Sequence, residues 1–173
     1  MPNAQTRGTP ALRRSLSNRL GDVIIAACNG GFAAVDRWHV YRGRQPVDLV
    51  TTDQLVENYL GNPNSPWLLV DVRSEHEQAV SRIPGAITQR EFEADPQHYA
   101  GKTIVPYCTA GGRSYLYTRQ LIERGVPAKN YRDSILGWVR AGLPLETPDG
   151  QPSRRIHPYW RLFDVPSDYD VHL

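Results

Sequence analysis

The chain has 173 residues, with 20 Lys and Arg against 18 Asp and Glu and a formal net charge of +2. That length allows one domain with a real core plus extensions, and the even charge balance, without a long basic stripe, points away from nucleic acid. No run approaches the roughly 18 apolar residues that cross a bilayer, so no membrane association is expected.

Residues 1–48 read as an N-terminal extension. Residues 1–21 hold Arg7, Arg13, Arg14 and Arg19 and no acidic residue, a composition faintly like an organelle transit peptide. The preferred reading is a mobile leader of about 20 residues followed by a short helix. Ile24, Ile25, Phe32, Val35 and Trp38 are the side chains that would pack such a helix, and Gly30 and Gly31 are expected to interrupt it.

The main domain is placed at 49–146. Thr51 or Thr52 can cap a helix whose Leu55, Val56 and Leu60 face inward. Trp67-Leu68-Leu69-Val70-Asp71-Val72 reads as a buried strand. Ser74 with Glu77 three residues later is a capping-box pattern. Ile83-Pro84-Gly85 makes a turn, and Thr103–Tyr107 a second strand. A helix over about 114–124 presents Tyr117, Leu121 and Ile122 and ends at Gly125. Lys129–Arg132 is a weak strand, and Ser134 starts a short helix with Ile135, Leu136, Trp138 and Val139. Strands alternating with helices predict an α/β fold, a central parallel sheet with helices on both faces. Residues 147–173 open on the turn Thr147-Pro148-Asp149-Gly150 and carry His157, Tyr159, Trp160, Phe163 and Tyr169. So many aromatics predict a strap packed on the domain.

The chemistry lies in Cys108-Thr109-Ala110-Gly111-Gly112-Arg113-Ser114. A cysteine at a strand end, a Gly-rich turn and a helix start together make an anion cradle. Backbone N–H groups converge on one point and the helix dipole adds partial positive charge. Such surroundings lower a thiol pKa from about 8.5 toward roughly 3.5–7.5 and yield a nucleophilic thiolate. Cys28 and Cys108 are the only cysteines. Two so far apart form no disulfide framework and suit a reducing compartment, the cytoplasm. Cys28 is read as a small buried hydrophobe rather than a resolving thiol. The five histidines lie singly, so no metal site is expected.

Several segments together resemble the rhodanese family: Asp71-Val72-Arg73, Arg82-Ile83-Pro84-Gly85-Ala86, the Cys108 loop, Ile135-Leu136-Gly137-Trp138 and Ala141-Gly142-Leu143-Pro144. Their order and spacing agree over about residues 50–146. The tail, with Arg155-Ile156-His157 and Trp160, looks like an extension of some single-domain relatives. The resemblance implies a sulfurtransferase. Cys108 would take a sulfane sulfur from a donor, carry it as a persulfide and pass it to a nucleophile. The N–H groups of Thr109, Ala110, Gly111, Gly112, Arg113 and Ser114 would hold the outer sulfur. Arg113 would face an anionic donor or stabilise the loop. Asp71 and Arg73 would form a supporting ion pair under the pocket. The implied partners are a small anionic or persulfide donor and a thiol or protein acceptor, with no cofactor.

The sequence departs from the family pattern in three places. Arg82 stands where the family usually has histidine, Pro106 falls inside a strand, and Asp133–Gly137 lacks a double glycine. Two other functions compete. A phosphatase or arsenate reductase on the same fold would need five residues between cysteine and arginine; here four separate Cys108 from Arg113, leaving the loop one residue short for a tetrahedral oxyanion. A non-catalytic interaction module would not need to keep the cysteine and glycines.

Overall fold

The computed structural model describes residues 16–160 and 163–173. For residues 16–20, Ile24 and Cys28 it describes the backbone alone. The leader expected to be mobile falls partly outside these residues, and so does the role given to the Cys28 side chain. Residues 16–20 are the first turn of a helix.

That helix, α1, runs unbroken over Leu16–Tyr41, correcting the expected break at Gly30 and Gly31. A Cβ at either glycine would meet nothing within 4 Å, so neither serves a close approach; each costs the helix about 1 kcal/mol relative to alanine. Tertiary contacts within the next two turns outweigh that cost. The Phe32 ring lies 4.6 Å from that of Tyr115. Asp36 ion-pairs with Arg119 and accepts from the Val47 N–H and the Tyr115 hydroxyl. Ile25, Phe32 and Asp36 recur at one-face helical spacing. Val35 and Trp38 point away from that face and are about half exposed, so they do not pack the helix as expected.

Next come β1 (Leu49–Val50), α2 (Thr52–Asn58), β2 (Trp67–Asp71), α3 (Glu75–Val80), β3 (Ile87–Thr88) and α4 (Gln89–Ala94). They are followed by β4 (Thr103–Tyr107), α5 (Gly112–Glu123), β5 (Asn130–Tyr131) and α6 (Ser134–Arg140). Thr51 and Ser74 cap α2 and α3 through reciprocal boxes with Gln54 and Glu77. Leu55 is buried on α2, whereas Val56, one position round the helix, is exposed.

The strands are parallel, in the order β3-β2-β4, with β1 and β5 pairing alongside. A bridge between Ile104 and Ala128 joins the two groups. The fold is α/β, as expected. Successive strand residues face opposite sides, and two cores result. Leu69, Val105 and Tyr107 pack with Leu55 of α2 and with Ile135, Leu136 and Trp138 of α6. Val70, Ile104 and Cys108 pack with Phe92 of α4 and with Tyr117 and Leu121 of α5. The same period explains Pro106. The Ile104 N–H points to the β5 side, donating to Pro127, and the Cys108 N–H points there too, donating to Ser134. Pro106 lies between them, where the ladder on that side has ended, so its missing N–H costs little.

The tail forms β7 (Pro152–Ser153), antiparallel to β6 (Leu145–Glu146), and β8 (Arg155–Ile156), parallel to β9 (Asp170–Val171). Ile156, Phe163 and Tyr169 sit in the core shared by α2 and α6, while Tyr159 and Trp160 remain about half exposed. Among the described residues no helix is long and apolar enough to cross a membrane.

Candidate active site

β4 ends at Tyr107 and α5 begins at Gly112, so Cys108 opens the turn between them. Gly111 takes φ +89°, and a Cβ there would come 2.3 Å from the Arg132 carbonyl oxygen. Only glycine fits that position. The turn this permits brings the Gly111 N–H to 3.2 Å from Cys108 Sγ. The Ser114 hydroxyl lies 3.7 Å from the sulfur and the Ser134 hydroxyl 4.0 Å. The leading N–H groups of α5 have no carbonyl one turn back within the helix, and they gather partial positive charge beside the sulfur. Cys108 itself is 2% exposed.

Arg113 does not face open solvent alone. Its Nη1 and Nη2 donate to Glu77 Oε2 at 2.7 Å and Oε1 at 2.8 Å, and Nη2 also reaches Thr109 Oγ1 at 3.0 Å. Its guanidinium carbon stands 5.0 Å from the centre of the Tyr159 ring, a cation–π contact with the tail. The Thr109 hydroxyl donates to Glu77 Oε1 at 2.8 Å. Glu77 therefore ties both ends of the loop to the start of α3. The sequence marks Glu77 as a helix cap, since its carboxylate also accepts from the Ser74 N–H and hydroxyl. Its reach to the loop is invisible in sequence because 36 residues separate it from Arg113.

Burial alone would raise the Glu77 carboxyl, but donors from Arg113, Ser74 and Thr109 hold it down at about 2. Linkage makes that depression worth at most about 3 kcal/mol of stability, less what solvent screening removes on the Arg113 side. A depressed carboxyl stabilises the fold above its unfolded value of 4.5 and loses that contribution as the pH falls through about 2, with roughly 2 kcal/mol gone by pH 3. Urea midpoints measured from pH 6 to pH 3 should fall more steeply in the wild type than in Glu77→Gln. Parallel acid limbs would mean the clamp carries no net energy.

Asp71 and Arg73 form a second, deeper unit. Their side chains are fully buried and 2.7 Å apart. The Tyr107 hydroxyl donates to Asp71 at 2.8 Å, and Arg73 also reaches the Ser81 carbonyl. This unit braces the ends of β2 and β4, and neither side chain is among the hydrogen-bond partners of the Cys108 sulfur. Ser134, absent from the sequence-derived site, takes φ 53° and holds the Cys108 N–H at 3.1 Å. A non-glycine residue in that conformation stores strain, and nothing in its local sequence announces it. The hydrogen-bond partners of the thiol are Gly111, Ser114 and Ser134, none of them a histidine; His76 packs edge-on to His157 and His98 edge-on to Tyr99. Among the described residues no cluster of His, Cys, Asp or Glu could hold a metal.

Comparison with known proteins identifies the domain that carries this loop. The family model for the rhodanese-like domain matches residues 51–141. A sulfurtransferase of Allochromatium vinosum is 35% identical over 88 residues, spanning 48% of this chain and 81% of that protein. A thiosulfate sulfurtransferase from Pseudomonas aeruginosa superposes with a TM-score of 0.52 at 22% identity, covering 69% of this chain and 23% of that one. A Rhodopseudomonas palustris protein of unknown function, described as a possible tyrosine phosphatase, superposes with a TM-score of 0.51 at 24% identity. It covers 84% of this chain and 99% of that one. At these identities the two structures speak for the fold.

Proposed function

Because this chain belongs to the rhodanese-like family, we propose that it is a sulfurtransferase whose carrier is a persulfide on Cys108. The Cys108 thiolate attacks the outer sulfur of a donor, thiosulfate or a persulfide. The donor's sulfur–sulfur bond breaks, and sulfite or a thiolate leaves with the electron pair. A thiophilic acceptor then attacks the outer sulfur and releases the Cys108 thiolate. A thiolate that both attacks and departs readily suits each half of the cycle. No cofactor is needed.

The observation that carries this reading is the tight turn at Cys108, with the Gly111 N–H on the sulfur at 3.2 Å. A cradle of that size favours one added sulfur atom. A phosphate ester needs a free arginine on its equatorial oxygens, and both terminal nitrogens of Arg113 are engaged by Glu77. The resemblance to a sulfurtransferase by name in Allochromatium vinosum supports the same class.

Intact-mass measurement tests it directly. Protein purified without reductant, or treated with thiosulfate, is expected to carry one extra sulfur, mapped to Cys108 and removed by cyanide. A Cys108 that never gains mass under either condition would overturn the assignment.

A further inference from the structure

Beside the loop lies a cavity of about 220 Å³. Its floor includes Ala110 and Gly112, and its walls are Ile25, Tyr159, Trp160 and Phe163. Those walls come from α1 and the tail, both outside the family match at residues 51–141. This chain therefore flanks its Cys108 loop with parts that lie outside the matched domain. The walls are apolar and mutually packed. Trp160 stacks on Phe163 with ring centres 5.9 Å apart, and Tyr159 lies 5.3 Å from Trp160.

One charged side chain lines the cavity among the described residues, Arg113. It is neutralised by Glu77 through two hydrogen bonds, and Tyr159 lies over its guanidinium. Among the described residues, a small dianion entering here would lose water and gain no unpaired cation, a poor exchange. An apolar group would lose only unfavourable hydration. At about 30 Å³ per water molecule the space equals roughly seven waters, enough for one aromatic ring and a short linker.

We propose that the cavity selects the sulfur acceptor, and that the acceptor is a thiol carrying a compact apolar arm, aromatic or branched aliphatic. The inference rests on the persulfide reading above. In the transfer step the acceptor sulfur bonds to the outer sulfur of the Cys108 persulfide. The bond from that sulfur to Sγ breaks, its electron pair stays on Cys108, and the acceptor's thiol proton passes to the Cys108 thiolate. The products are an organic persulfide and the resting thiol.

The experiment loads the full chain with inorganic polysulfide, which gives up one sulfur atom to the thiolate, and removes the excess. Discharge is then timed with cyanide, 2-phenylethanethiol and 2-mercaptoethanesulfonate, each corrected for its rate with a free cysteine persulfide. The aromatic thiol is expected to exceed the sulfonate by at least ~10-fold in kcat/KM, from burial of its ring. In Trp160→Ala and, independently, Ile25→Ser that ratio is expected to fall at least about threefold through KM. Trp160 is 47% exposed, so its truncation threatens the fold little, and the wild-type ratio decides without any variant. Equal corrected rates for the two thiols would overturn the inference while leaving the persulfide reading intact. A chain that takes up no cyanide-removable sulfur would overturn both.

Discussion

Cys108→Ser is expected to reduce thiocyanate formation from thiosulfate and cyanide to background, while Cys28→Ser retains most of it. The serine hydroxyl fits the same space, so the fold should persist. Far less acidic than a thiol, it supplies almost no anion at neutral pH and cannot form the sulfur–sulfur bond on which the cycle runs. The neighbours should remain in place: Gly111 keeps its left-handed turn against Arg132, and the Ser114 and Ser134 hydroxyls donate to the Gly111 and Tyr131 carbonyls. Loss of activity with an unchanged melting temperature would thus isolate chemistry from structure. Cys28 lies in α1, outside the family match. Comparable loss in both variants would instead argue for a cycle with two thiols. The same enzyme should leave aryl phosphates nearly untouched, since the loop is short and its arginine engaged. Robust phosphatase turnover that vanished in Cys108→Ser would replace sulfur transfer with phosphoryl chemistry.

How much of this was legible beforehand depended on how local the signal was. The Cys108 turn could be read because Gly111 must be glycine and α5 must begin where it does; both are short-range facts of backbone geometry. The caps at Thr51 and Ser74 were legible for the same reason. Strands alternating with helices along the chain predict a sheet covered on both faces, and each face has its own core, Leu69 and Val105 on one side and Val70 and Ile104 on the other.

What was hidden depended on partners far along the chain. Gly30 and Gly31 argued locally for a break. The helix persists because Phe32 and Asp36 engage Tyr115 and Arg119, about 80 residues away. The sequence offered Val35 and Trp38 as packing residues on hydrophobicity alone, yet a charged residue, Asp36, anchors that face. The local sequence shows Glu77 only as a cap, although its carboxylate also clamps Arg113 and Thr109. The sequence leaves Arg113 to a donor or to the loop, and the structure pairs it with Glu77. A capping glutamate with one lone pair to spare gives no sign in sequence of where that lone pair points.

Deleting residues 151–173 is expected to cost most of the protein's stability. Ile156, Phe163 and Tyr169 are 0%, 8% and 5% exposed within the core shared by α2 and α6. At about 1.5–3 kcal/mol for each buried side chain, the three contribute some 5–9 kcal/mol as an upper figure. A domain of this size is stable by only about 5–15 kcal/mol in all. The deletion also strips polar partners: the Tyr169 hydroxyl leaves the Leu143 carbonyl, and the Ser81 hydroxyl loses the Arg155 carbonyl. The melting temperature should fall by at least ~15 °C, or the cooperative transition should disappear. Ile156→Ala separates packing from chain length; it should cost about 2–5 kcal/mol by leaving a cavity against Leu145 and Ile83's shared core. Activity should fall with the deletion even where the domain is kept folded by low temperature, because Tyr159 leaves the Arg113 guanidinium and the loop loses one of its walls. A truncated chain with an unchanged melting curve would mean that the tail only rests on a domain already complete.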